Sequence, residues 1–127
     1  MPIRSNVVAV IDDDAVTREA LKLMLSRLAC EAELYESAEA FLARVGESAA
    51  TCLLVDIQLD AVSGIELGRG LAAAGFRFPV IFMTASPDQA IRQRAADAGC
   101  VAFLRKPIVP HELAEALTAA KRQIDRR

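Results

Sequence analysis

A chain of 127 residues is the size of one domain, which speaks against a built-in output module. Its composition, 54% hydrophobic and 25% charged, supplies a buried core and excludes global disorder. Fifteen Lys and Arg against 17 Asp and Glu leave a net charge of −2, so there is no basic field to hold nucleic acid.

In chain order, the first apolar run covers residues 7–11 and stops at Asp12, Asp13 and Asp14. After Asp14, the residues Leu21, Met24, Leu25 and Leu28 recur at helical spacing. A weaker, mixed run over 32–35 reads as an edge strand. Ser37 is a natural N-cap for a second helix through Phe41, Leu42 and Val45, closed by Gly46. The run 53–55 predicts a further strand, followed by a helix from Ile65 to Ala74 that ends at Gly75. Within that helix Gly68 and Gly70 each cost about 1 kcal/mol relative to Ala, which predicts a frayed or short element. The run 80–83 is a strand. Ser86-Pro87 looks like the N-cap and first turn of a fourth helix reaching Gly99, and 101–104 is the last apolar run. Pro110 then opens a fifth helix through Thr118 to Gln123.

The main runs are apolar at successive positions without a period of two, as in strands covered by helices on both faces. Alternating with amphipathic stretches, they predict an α/β fold of (βα)5 type. The architecture is a doubly wound, three-layer sandwich with a five-stranded parallel sheet.

Cys30, Cys52 and Cys100 are odd in number and lack CxxC or Cys/His spacing, so neither a disulfide framework nor a zinc site is expected. They read as small core hydrophobes, at home in a reducing cytoplasm. No segment approaches the roughly 20 apolar residues that cross a bilayer, and the run at 7–11 is too short for a signal-peptide core. The expectation is a soluble cytoplasmic protein with no membrane partner.

In open α/β sheets ligands bind beyond the carboxyl ends of the strands. The residues at those ends are Asp12, Asp13 and Asp14, then Asp56, Thr84 and Lys106. Neighbouring carboxylates repel one another, and the simplest relief is a hard divalent ion such as Mg²⁺. A metal, a lysine and a hydroxyl together suit a phosphoryl group, and a carboxylate is itself able to act as the nucleophile, giving an aspartyl phosphate. Asp56 is the natural acceptor because it stands alone at the end of the presumed central strand. Asp12 and Asp13 are the pair free to grip the metal. A bland reading, in which the three aspartates merely cap a helix, leaves Asp56 and Lys106 unexplained.

Val10-Ile11-Asp12-Asp13-Asp14, Val55-Asp56-Ile57-Gln58-Leu59, Ser63-Gly64, Thr84-Ala85 and Lys106-Pro107 occur in this order and spacing. The set resembles the receiver domain of two-component response regulators, with its flavodoxin-like topology, over nearly the whole chain. The resemblance implies a single receiver domain over residues 1–127. It implies that Asp56 accepts a phosphoryl group from a sensor histidine kinase or a histidine phosphotransfer protein. Asp13 and the Asp56 carboxylate then match direct Mg²⁺ ligands, Asp12 a ligand through water, and the Gln58 backbone carbonyl the third protein ligand. Thr84 matches the switch hydroxyl, the Ala85 backbone N–H a phosphoryl contact, and Lys106 the lysine that pairs with the phosphoryl group. Phe103 matches the aromatic switch position, although a plain core role fits it equally, and the Lys106-Pro107 bond is cis in the family. The implied protein is no enzyme on a separate substrate; it catalyses only its own phosphotransfer and autodephosphorylation. Homodimerisation through the fourth helix, fifth strand and fifth helix is a further expectation, and this domain itself contacts no nucleic acid.

Asp60 stands where the family usually has proline, which frees the loop after Asp56. His111, at a presumed helix start, reads as a surface residue. The alternative within the same fold is a phosphorylation-independent pseudo-receiver acting as an interaction module. A phosphohydrolase would need a second acid where Gln58 stands, and a flavin carrier would want a hydroxyl- and Gly-rich loop where the aspartates stand.

Overall fold

The computed structural model describes residues 6–59 and 63–125. Five parallel strands, β1 (Asn6–Ile11), β2 (Cys30–Tyr35), β3 (Cys52–Asp56), β4 (Val80–Thr84) and β5 (Ala102–Arg105), form one sheet in the order β2-β1-β3-β4-β5. The helices between and after them are α1 (Ala15–Arg27), α2 (Ala38–Leu42), α3 (Gly64–Ala73), α4 (Gln89–Asp97) and α5 (Pro110–Asp125).

Because side chains alternate across a strand, each inner run feeds both faces of the sheet. Val8 and Val10 of β1, Leu54 of β3 and Ile81 and Met83 of β4 pack with Leu21 and Leu25 of α1 and Leu113 and Ala116 of α5. Ala9 and Ile11, Leu53 and Val55, and Phe82 point the other way, toward Phe41, Ile65, Leu67, Leu71 and Ala95. Two apolar layers therefore flank the sheet, which is why these runs show no period of two. On the second face Phe41 lies edge-on to Tyr35 at 5.1 Å and to Phe78 at 5.9 Å, within the range of favourable aromatic pairs.

Three helix expectations change. α2 stops at Leu42, and the chain continues through Val45 in turns whose N–H groups bond three residues back, as Arg44 to Phe41 and Glu47 to Arg44. α4 starts at Gln89 with Asp88 as its cap, since the Asp88 side chain accepts from Ala90 N–H. Ser86-Pro87 instead belongs to the preceding turn, where Ser86 Oγ accepts from Asp88 N–H. α3 is neither frayed nor short: it runs ten residues, with Ser63 Oγ accepting from Glu66 N–H at its start and Ile65, Leu67 and Leu71 buried beneath it. Burial of that face outweighs the helix cost of two glycines.

Candidate functional site

The three successive aspartates divide their work. Asp12 leaves β1 completely buried, with Oδ1 accepting from Asp14 N–H at 2.9 Å and its carbonyl accepting from Arg18 Nη1 at 2.8 Å. Asp13 is exposed. Asp14 turns outward and caps α1, accepting from Val16 N–H and from the Thr17 hydroxyl, the bonds that hold its carboxyl below the usual value. Capping thus uses one aspartate and leaves two for the rim.

Asp56 ends β3 and is 5% exposed. Its Oδ1 accepts from Gln58 N–H at 2.8 Å and its Oδ2 from Lys106 Nζ at 2.8 Å. The same ammonium lies 2.7 Å from Asp12 Oδ2. That approach is an ion pair without the alignment of a hydrogen bond, so Asp12 Oδ2 is a buried oxygen lacking a directed partner. Burial pushes the Asp56 carboxyl above its ordinary value, against the opposing pull of Lys106 and the Gln58 N–H. Burial pulls Lys106 down, but its contacts with Asp12 and Asp56 outweigh this and hold the ammonium above its ordinary value. The Lys106–Pro107 peptide bond is cis, as expected.

Close approach of α3 to β3 keeps Asp56 in place. Gly64 N–H donates to Ile57 O at 2.9 Å, and a Cβ on Gly64 would sit 2.5 Å from Asp56 O. Only glycine permits this contact.

Thr84 ends β4 and is also completely buried. Its Oγ1 accepts from Ser86 N–H at 3.1 Å, and its hydroxyl donates to Gln58 Oε1 at 3.1 Å. Ala85 follows it and is exposed. Phe103 stands apart on β5, half-buried, in register with Phe82 and with the Arg92 guanidinium 5.5 Å above its ring. His111 is exposed, and Asp60 lies outside the described residues.

The structure thus brings one carboxylate oxygen each from Asp12, Asp13 and Asp56 within 4.8 Å of one another, joins two of these residues to Lys106, and links Thr84 through Gln58. Sequence reasoning gave Gln58 only a backbone role and missed Arg18 and Arg92. Residue types alone carry no signal for those side-chain contacts; the position of Gln58, two residues past Asp56, is the nearest thing to one. Three converging carboxylates form a donor set made only of oxygen, and one of them, Asp12, keeps an oxygen without a directed partner, which fits a hard divalent cation. Beside it, an ammonium and a hydroxyl, those of Lys106 and Thr84, are hydrogen-bond donors of the kind that suit an oxyanion.

A buried carboxylate at the end of β3, an acid pair at the end of β1 and a lysine after β5 thus gather on the carboxyl rim of a flavodoxin-like sheet. The family model described as the response regulator receiver domain matches residues 8–118, and the chain belongs to that family. It is 34% identical over 120 residues to the response regulator protein TodT of Pseudomonas putida, covering 94% of this chain and 53% of TodT. With the transcriptional regulatory protein FixJ of Bradyrhizobium diazoefficiens it shares 32% identity over 116 residues, covering 91% of this chain and 57% of FixJ. The chain therefore spans about half the length of these curated relatives. The crystal structure of FixJ-N superposes with a TM-score of 0.84 at 30% identity, covering 93% of this chain and 94% of FixJ-N. Among the described residues, no helix is long and apolar enough to cross a membrane.

Proposed function

We propose that residues 1–127 act as one receiver domain that takes a phosphoryl group onto Asp56, in a Mg²⁺-dependent reaction, from a sensor histidine kinase or a histidine phosphotransfer protein. The observation that carries this reading is the buried Asp56 carboxylate, bonded to Lys106 and ringed by Asp12 and Asp13. A carboxylate oxygen of Asp56 attacks phosphorus, the O–P bond forms, and the P–N bond to the donor imidazole breaks. The ring nitrogen keeps the electron pair and takes a proton from solvent. Asp13 and Asp56 would hold Mg²⁺ directly, Asp12 through water, and Gln58 by its backbone carbonyl. Bound there, the ion supplies positive charge against the phosphoryl oxygens.

Lys106 then moves its hydrogen bond from Asp56 Oδ2 to the phosphoryl group, with the Ala85 N–H and the Thr84 hydroxyl as further donors. Thr84, once drawn in, vacates space behind β4 for Phe103. Filling that space buries aromatic area worth about 1–3 kcal/mol, the scale of a two-state gap. The surface this alters is α4, β5 and α5, where Phe103 borders a groove of about 400 Å³ with Arg92, Arg105, Glu112 and Glu115. A partner or a second copy reads the change there. Hydrolysis of the aspartyl phosphate in the same site resets the domain, and a reducing cytoplasm is its setting.

The test is intact mass after incubation with a small-molecule phosphodonor and Mg²⁺. Wild type gains one phosphoryl group, Asp56→Asn gains none, and Asp13→Asn reacts much more slowly at a given Mg²⁺ concentration. Equal labelling of wild type and Asp56→Asn overturns the assignment of the acceptor. Failure of wild type to label at all favours the phosphorylation-independent interaction module.

A further inference from the structure

Gln58 touches two parts of the site at once. Its backbone N–H donates to Asp56 Oδ1 at 2.8 Å, while its side-chain Oε1 accepts from the Thr84 hydroxyl at 3.1 Å. The orientation of the amide follows from the inventory of Thr84. A hydroxyl has one proton and two lone pairs, and a lone pair already accepts from Ser86 N–H at 3.1 Å. With the Gln58 oxygen turned toward Thr84, the proton has an acceptor; with the NH₂ group turned toward it, a completely buried hydroxyl would be left with a proton and no partner in this contact. The resting site therefore spends the only proton of Thr84 on Gln58. Any other acceptor, a phosphoryl oxygen included, must take that proton away.

Resting on the phosphoryl-acceptor reading above, we infer that the Gln58 side chain is a positioning residue: it latches Thr84 in the resting conformation and sets how readily the domain switches when Asp56 is phosphorylated. Gln58 is exposed, on the loop that follows β3, so the latch is made by a side chain the core does not need. The charged phosphoryl group forms the stronger hydrogen bond and wins the exchange. The bond to Gln58 is what it must first displace. Its loss favours the switched state by the value of one neutral hydrogen bond, about two- to tenfold in the equilibrium.

The experiment is a double-mutant cycle on the full chain, with Mg²⁺ and beryllium fluoride as the phosphoryl mimic. Wild type, Gln58→Met, Thr84→Val and the double variant are titrated by calorimetry, and the Ser86 amide resonance is followed by NMR. Methionine keeps the length of the side chain and removes the acceptor. Gln58→Met is expected to bind the mimic about two- to tenfold more tightly than wild type. Its Ser86 amide, before any mimic is added, should shift toward the mimic-bound position. In the Thr84→Val background the same substitution should change neither quantity. Equal tightening in both backgrounds means Gln58 acts directly on the bound anion, and weaker or unchanged binding means no latch; each result overturns the inference while leaving the receiver reading intact. Wild type that binds neither Mg²⁺ nor the mimic overturns that reading and the latch with it.

Discussion

At the carboxyl ends of β1, β3 and β4 the sheet buries Asp12, Asp56 and Thr84, whereas at the opposite end of β3 it buries Cys52 at 3% exposure. The two ends solve burial differently. Burial pushes the Cys52 thiol up to about 12, with Cys30 adding to the effect, so this group stays neutral at any physiological pH. The rim instead keeps carboxylates beside Lys106 and leaves Asp12 Oδ2 without a directed partner. A neutral group satisfies the core by itself. A rim of like charges needs a counter-ion, and among the described residues Lys106 supplies it to both Asp12 and Asp56.

The strongest way to break the rim is to move its backbone. In Gly64→Ala the new Cβ would lie 2.5 Å from Asp56 O and 3.0 Å from Ile57 Cα, both backbone atoms that cannot swing aside. Urea unfolding should show a loss of about 3 kcal/mol, near the top of the usual overpacking range. Labelling of Asp56 should slow as well, because the strand end that aims it is displaced. Wild-type stability in Gly64→Ala would mean that α3 tilts away from β3 at little cost.

Next in size is removal of the charge partner. Lys106→Met leaves Asp12 and Asp56 facing each other without their ammonium, a loss of about 2 kcal/mol at pH 7 in a chelated sample. Adding Mg²⁺ should restore more stability to Lys106→Met than to wild type, read as the difference in Tm with and without the ion. Equal responses would mean that lysine and metal do not relieve the same repulsion.

The contrast in ionisation gives a test at the other end of the sheet. An ordinary thiol ionises near 9.0 and the folded Cys52 only at about 12, so its contribution is fully present below pH 9 and is lost as pH rises from 9 toward 12, where the unfolded thiol ionises and the folded one does not. Between pH 8 and pH 10 wild type should lose about 1.4 kcal/mol more than Cys52→Ala. Urea midpoints for both proteins at the two pH values check this. Parallel losses would show that the thiol ionises in place.

The strands were legible because buried parallel strands write continuous apolar runs, and the run at 7–11 falls inside Asn6–Ile11. The rim residues were legible because strand-end polar positions are few and were found in register. Helix starts were less so. Ser86-Pro87 has the chemistry of a cap, yet Ser86 N–H is drawn to Thr84 Oγ1, which folds the segment into a turn and hands the cap to Asp88. α2 ended early because Glu33 takes hydrogen bonds from Tyr35, Ser48 and Ala49 N–H, tying the connection after it to the edge strand, a contact 15 residues apart for Ser48 that no local pattern reveals. The side-chain reach of Gln58 to Thr84 spans 26 residues and was invisible for the same reason.

The smallest predicted effect returns to α3, whose first residue tolerates no side chain. Gly70, further along the same helix, is exposed, and a Cβ built on it meets nothing within 4 Å. There the glycine only adds backbone freedom to the unfolded chain, which helix formation must remove. Gly70→Ala should therefore stabilise the domain by about 0.5–1 kcal/mol, with the urea m-value unchanged. Gly68 is the intermediate case, since its Cβ would meet Phe82 Cζ at 3.5 Å, an ordinary contact with a buried ring. The order of stability, Gly64→Ala below wild type and Gly70→Ala above it, follows from contact alone, because all three positions lie in one helix and share the same propensity. A destabilised Gly70→Ala would mean that α3 is not continuous at its middle, and that the low helix propensity of its glycines, rather than burial of Ile65, Leu67 and Leu71, decides its structure.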